Sequence, residues 1–382
     1  MKVYDYCPFF SSAENDLYEI RINEHWDCVD KFIIIESGET HTGFKKRPNF
    51  DHERFRKYAE KLLYVHFDTF KEEMAKYPTL IDHKINKTRE GTPAEHDWAR
   101  DNFQGNYIVK VLEDLDADNE DIVYGSSLDE IISTKSLGKA IKIVGNNRSE
   151  LFKAKTSEGH DKNGLHITKW GEYNDLHIPP LMGFWLKTYA YKLNLLCPTV
   201  IPMANITTYG ALKTILPATL RHLAIYTHDA IGSFHNPAGW HFTCYDNTPF
   251  GGGVYQKYSS WAHSKDDINF CRDLPKCCVH HFREEVAIRV FQEFSLEVVK
   301  VKRKTHPNFL LDNIDMFSRG LWNPLGVDGK IDREEAKRRM AGLPPSQTTV
   351  SCGPSGTEGI SSAFAEHGPV IENGRWKEQH LG

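Results

Sequence analysis

The sequence predicts an α/β fold in which a mostly parallel central sheet is flanked by helices. Three observations carry that prediction. Short apolar runs alternate with amphipathic stretches over the first 145 residues, the order a strand-helix-strand sheet requires. The run Lys31-Phe-Ile-Ile-Ile-Glu36 sets three isoleucines between charges, as in a strand buried on both faces. With 382 residues, 40% hydrophobic and 26% charged, the chain has the composition of a globular protein and the length to bury a large core.

Taken in order, residues 2–5 (Lys-Val-Tyr-Asp) read as a first strand. Residues 16–24 carry Leu17, Ile20 and Ile22 between charges and fit a half-buried helix. The isoleucine strand follows, with Glu36 at its carboxyl end. Residues 51–61 mix charge with Phe55, Tyr58 and Ala59 and predict a surface helix, and residues 62–67 a third strand. After a polar stretch over 69–91, Thr92-Pro-Ala-Glu95 opens a helix: Thr92 caps, Pro93 suits the first turn and Glu95 completes a capping box. Trp98, Ile108, Val111, Leu112 and Leu115 then recur at helical spacing.

A short buried strand over 121–125 delivers the loop Ser126-Ser-Leu-Asp-Glu130 to the point where the sheet ends. In open α/β sheets ligands bind beyond the carboxyl ends of the strands. A carboxylate there can hold a hard divalent cation, which in turn holds a phosphate; equally, Asp and Ser can simply cap the next helix.

Further on, residues 140–144 and 165–170 read as strands, residues 181–196 as an apolar helix or a strand pair, and residues 211–225 as helical despite Pro217. Residues 227–264, dense in His, Trp, Tyr and Gly, suit a loop-built binding surface. The expected organisation is one domain over 1–331, its two halves meeting at about residue 145. Residues 332–382, poor in apolar side chains, read as an appendage or flexible tail.

A net charge of -5 gives no broad basic field, which argues against nucleic acid as a partner. The opening Met-Lys-Val-Tyr-Asp lacks the apolar run of a signal peptide, and no stretch reaches the ~18 apolar residues of a membrane span. A cytoplasmic location and free thiols for the eight cysteines are therefore expected. Cys271, Cys277, Cys278, His280 and His281 lack the paired Cys-x-x-Cys spacing of a zinc site.

Five blocks, in order along the chain, match the patterns of one known family. Asp16-Leu-Tyr-Glu-Ile-Arg21-Ile is similar to that family's Asp-Leu-Leu-Glu-Ile-Arg-Leu. Glu36-Ser, Thr40-His-Thr-Gly43 and Lys45 or Lys46 resemble its Glu-Ser, Thr-x-x-Gly and Lys. Trp98-Ala-Arg100-Asp-Asn-Phe-Gln104-Gly-Asn106 matches a Trp-x-Arg-Glu-x-x-Gln-Arg-Asn helix, with Gly105 in place of the Arg. Ser126-Ser127-Leu128-Asp129-Glu130-Ile131 is similar to its Ser-Asp-Val-Asp-Glu-Ile, with Ser127 in place of the first Asp. Gly239-Trp-His-Phe-Thr243, Lys257 and Trp261-Ala-His263 resemble its Gly-Gly-Trp-His-Phe-Ser and later Ala-His.

Together the five blocks resemble glycosyltransferase family 17, typified by the enzyme that adds the bisecting N-acetylglucosamine to N-glycans. The resemblance implies a GT-A-type nucleotide-sugar-binding fold, with a donor half to about residue 145 and an acceptor half from about 146 to 331, and inverting transfer of N-acetylglucosamine from UDP-GlcNAc to a sugar hydroxyl of a glycan acceptor. It places Asp129 and Glu130 at the chemistry. Arg21, Glu36, Arg100, Gln104, Asn106, Ser127 and Lys257 fall on the donor side, and Trp240 and His241 on the acceptor side. A divalent cation, Mn2+ or Mg2+, is expected to stabilise the leaving diphosphate, with Asp129 and His263 as its ligands; Ser127 puts that cation in question. An inverting displacement also needs a base, for which Glu130, Glu36 and Asp229 are candidates. Arg100 and Gln104, four apart on one helical face, either meet one ligand together or brace their helix, and Trp240 either stacks on a pyranose or fills the core. The departures at Ser127 and Gly105 favour an alternative: a catalytically impaired relative that binds nucleotide sugar or glycan.

Overall fold

The computed structural model describes residues 1–81, 97–146, 159–160, 165–167, 181–226, 232–245, 247, 297–321, 370–372 and 375–377. Lys257, His263, Asp229, the capping box at 92–95 and the cysteine-histidine cluster at 271–281 lie outside them. The chain divides into two compact units, Met1–Trp322 and Asn323–Gly382. In the second, the strands Val370–Glu372 and Arg375–Lys377 pair antiparallel.

The first unit is a mixed α/β fold built on one large sheet. It opens with β1 (Val3–Phe9), α1 (Glu14–His25), β2 (Lys31–Ser37), β3 (Leu62–Phe67) and α2 (Phe70–Lys76). Then come α3 (Asp97–Asn106), α4 (Ile108–Asp114), β4 (Ile122–Gly125), β5 (Glu130–Ile132) and α5 (Thr134–Asn146). Strands β3, β2, β1 and β4 lie side by side, all parallel. Phe32 and Ile33 to Ile35 are buried, as a strand covered on both faces requires.

Beyond β4 the sheet changes character. Strands β6 (Gly159–His160) and β7 (Leu165–Ile167) precede an antiparallel pair, β8 (Met182–Ala190) and β9 (Leu195–Thr208), and β9 runs antiparallel to β4. Helices α6 (Tyr209–Thr214) and α7 (Pro217–Tyr226) lead to β10 (Gly232–Thr243), which is parallel to β8. Strand β11 (Glu297–Val298) pairs with β9.

Four sequence expectations are corrected. Helix α1 is buried almost all round, because its charges have partners: Asp16 meets Arg54, and Glu19 meets Arg54 and Lys57. The surface helix expected over 51–61 is a single 3-10 turn, Arg56–Tyr58; one i, i+3 apolar pair, Phe55 and Tyr58, suits that turn equally well. Residues 140–144 are not a strand but part of α5, whose Leu137, Ala140 and Val144 recur at helical spacing and are fully buried. Residues 232–243, expected in a loop-built surface, form β10. Pro217 sits at the first position of α7, where its missing N–H is harmless, and the ambiguous residues 181–196 resolve into β8 and the start of β9.

Candidate active site

The strand order 3-2-1-4 reverses between β1 and β4, and that reversal opens a crevice at their carboxyl ends. A small cleft, partly open to solvent, lies there. Its walls include Tyr6 and Pro8 of β1, Gly125 at the end of β4 with Ser126 and Ser127 after it, Asp101 and Gly105 of α3, and Arg221 of α7. Both departures from the family pattern, Ser127 and Gly105, therefore face the same space. A Cβ added at Gly105 would meet nothing within 4 Å.

The loop after β4 is held from beneath by buried charge. Asp5 of β1 binds the Arg21 guanidinium at 2.6 Å and His25 Nδ1 at 2.6 Å, all three fully buried or nearly so. Burial alone would raise the Asp5 carboxyl, but Arg21 and His25 outweigh it and hold it below the ordinary carboxylate range. Arg21 then donates to the carbonyl of Ser127 at 2.8 Å and to that of Glu130 at 3.3 Å, while His25 Nε2 lies 2.8 Å from the Ile132 carbonyl. Tyr124 adds its hydroxyl to the Glu130 carbonyl at 2.8 Å. Arg21 thus reaches the loop's main chain rather than the cleft.

The loop does not stop at a cap. It crosses to the far part of the sheet, where β5 pairs antiparallel with β10 and sets Glu130 opposite His241. That approach is tight at Gly239, where a Cβ would lie 2.1 Å from the Ile131 carbonyl oxygen. Phe242 N–H donates to the Asp129 carbonyl at 2.8 Å, and His241 Nε2 comes to 3.8 Å from Asp129 Oδ2. Asp129, Glu130 and His241, all buried, each offer a ligand atom within 4.8 Å of the other two. Two carboxylates and an imidazole form a donor set suited to Mn2+, so these residues fit the expected cation.

The Glu130 carboxylate is already engaged. Arg221 donates to it through both arms, at 2.7 and 2.5 Å, and Ser127 N–H donates at 3.1 Å. Burial works against the charge of Arg221, but Glu130 outweighs it and keeps the guanidinium above its ordinary pKa.

The remaining candidates from the sequence serve the scaffold more than the cleft. Glu36 is fully buried and accepts from Lys46 Nζ at 2.6 Å, Asn49 N at 2.8 Å and Tyr64 OH at 3.0 Å, anchoring the loop after β2. Arg100 donates to the His41 carbonyl at 2.7 Å, packed against Gly43, whose φ of +90° favours glycine. Gln104 bonds His41 Nε2 and the carbonyls of Phe9 and Ile35. The second and third sequence blocks are thus one contact: α3 braces the Thr40–Gly43 loop against the ends of β1 and β2. Asn106 is buried and its Oδ1 accepts from Ala218 N–H at 2.8 Å, satisfying an N-terminal donor of α7. Trp240 is half-buried with its indole N–H on the Thr305 carbonyl at 2.7 Å.

Sequence patterns do not single out Asp5, His25 or Arg221, and they give His241 to the acceptor. A signal for Arg221 is nevertheless present: it is a cation inside the mostly apolar stretch Leu216–Ile225. Asp5, a charge within an otherwise apolar first strand, is another.

The family model of glycosyltransferase family 17 matches residues 1–146, which run from β1 to the end of α5. No curated protein matches the chain. With the Asp129 loop and the β1, β4 and α3 walls of the cleft inside the matched stretch, the match supports membership of glycosyltransferase family 17 and a glycosyltransferase activity.

Proposed function

We propose that the chain is an inverting N-acetylglucosaminyltransferase that moves the sugar from UDP-GlcNAc to a hydroxyl of a glycan acceptor. The observation that carries this reading is the cleft at the β1/β4 switch point, with Ser127 on its wall and, two residues further along the same loop, Asp129, which His241 of β10 approaches. In the reaction the acceptor oxygen attacks the anomeric carbon, the carbon–oxygen bond to the diphosphate breaks, and UDP leaves with the bonding electron pair. The acceptor proton passes to a base.

Asp129 and His241 would hold a divalent cation, with Glu130 within reach. When bound, that cation neutralises charge growing on the leaving diphosphate. The cleft-lining Arg221 offers the forked donor geometry that suits a phosphate. Trp240, the neighbour of His241 in β10, points to the other face of the sheet, where it packs on the core with its indole N–H on the Thr305 carbonyl. Arg21, Asp5 and His25 keep the loop in place without touching substrate.

Calorimetry with UDP-GlcNAc, UDP-Glc and UDP-Gal in Mn2+, followed by a transfer assay on glycan acceptors, tests the proposal. The expected result is preferential binding of UDP-GlcNAc and transfer that EDTA abolishes. Preference for another UDP-sugar would remove the donor assignment, and transfer undiminished by EDTA would remove the cation. A second reading, binding without turnover, is favoured by Ser127 and Gly105 lining one cleft, a carboxylate and a guanidinium fewer than the family pattern. Donor binding with no transfer under any metal would establish it.

A further inference from the structure

The Glu130 carboxylate occupies two roles that compete. One of its oxygens lies within ligand range of Asp129 and His241, yet both oxygens are held by Arg221 in a two-armed ion pair. Such bidentate pairs are among the stronger charge-assisted contacts, and here the carboxylate is fully buried. The Arg221 side chain, by contrast, is 28% exposed and forms part of the cleft wall. Its helix is fixed at the start by Asn106 on Ala218 N–H, one turn before Arg221. The guanidinium is therefore the part of the pair that a ligand in the cleft can reach.

Charge sets how well the group holds a cation. With Arg221 on Glu130, the Asp129–Glu130–Arg221 group carries one net negative charge, a weak match for a divalent cation. With Arg221 drawn away it carries two. We propose that Arg221 is a built-in competitor of the cation: it keeps Glu130 from the Asp129–His241 pair, and a diphosphate entering the cleft takes the guanidinium and hands Glu130 to the cation. Donor and cation then bind cooperatively through one side chain, as linkage requires when each favours the same rearranged state. The inference rests on the glycosyltransferase reading for the identity of the anion, but not for the competition itself.

The test uses Mn2+ alone, without nucleotide, on the full chain, with free Mn2+ read by electron paramagnetic resonance. Four proteins are compared: wild type, Arg221→Gln, Glu130→Gln and the double variant. Arg221→Gln is expected to tighten Mn2+ binding about tenfold, the order of a typical coupling energy. In the Glu130→Gln background the same change should give little or no gain. An equal gain in both backgrounds would mean a general charge effect and would overturn the proposal; so would unchanged or weaker Mn2+ binding by folded Arg221→Gln, or no Mn2+ binding by any of the four. If Arg221→Gln fails to fold, Arg221→Lys, which loses the fork but keeps the charge, should show a smaller gain that again vanishes without Glu130. Failure of the transfer assay leaves this Mn2+ pattern standing, and failure of the Mn2+ pattern leaves the transfer assay standing.

Discussion

Residues 1–146 and residues 181–243 extend the same sheet in different ways. In the first region β3, β2, β1 and β4 are all parallel, with β1, β2 and β4 buried and β3 half-exposed at the edge. In the second, β8 and β9 form an antiparallel pair and β10 shifts register between Phe234 and Gly239 before it meets β5. The parallel region shapes the cleft and anchors the Asp129 loop with a buried Asp5–Arg21–His25 group. The second region brings His241 and Arg221 to that loop. The family match coincides with the parallel region and ends with α5. The difference teaches that the scaffold and half of the polar groups are local to one stretch, whereas the groups facing Asp129 and Glu130 arrive from 91 or more residues away.

The sharpest way to break that division is at the seam. Asp129→Ala should lower transfer by about a thousandfold, the size expected when a leading electrostatic stabiliser is removed, while the melting temperature stays near wild type. A large fall in melting temperature instead would make Asp129 part of the scaffold. Next comes the anchor of the parallel region. Arg21→Met leaves Asp5 without its guanidinium, and breaking a buried pair from one side costs about 3–5 kcal/mol, to be read by denaturant unfolding. Because the Asp5 carboxyl is held low in the folded state, its contribution is present above its unfolded pKa, near ~3.9, and is lost as pH falls through the lower folded value. Asp5→Asn should remove that acid slope; an unchanged slope would assign it elsewhere.

The second region has its own pH signature. Burial among Tyr189, Leu193 and Thr305 lowers the His306 pKa to about 4, the nearby Lys187 adding to the effect, although hydrogen bonds to the backbone oppose it. A depressed folded pKa favours the neutral ring, so stability is full above the unfolded pKa of ~6.5 and declines as pH falls toward the folded value, by on the order of 3 kcal/mol at most. His306→Gln should flatten unfolding free energy between about pH 6.5 and about pH 4; the same slope in the variant would rule His306 out. The smallest effect expected is at the cleft wall: Ser127→Asp restores a carboxylate and should tighten Mn2+ by a fewfold, on the scale of one partly solvated charge contact. Weaker Mn2+ binding would mean that Ser127 faces away from the cation.

The amino-acid sequence by itself determined the parallel half of the sheet and the importance of the Ser126–Glu130 loop. Continuous apolar runs such as Ile33 to Ile35 leave a strand little choice, and the loop's residues are adjacent in the chain. Residues 140–144 mislead because five mostly apolar residues fit strand and helix alike until Leu137 is counted with them. Tertiary structure alone decided which charges the scaffold consumes and which line the cleft. Glu36 and Arg21, each conspicuous in the sequence, are engaged by the scaffold, while His241 meets Asp129 through the β5–β10 pairing. A charge's role depends on what desolvates and pairs it, and those partners lie across the sheet, beyond the reach of any local pattern.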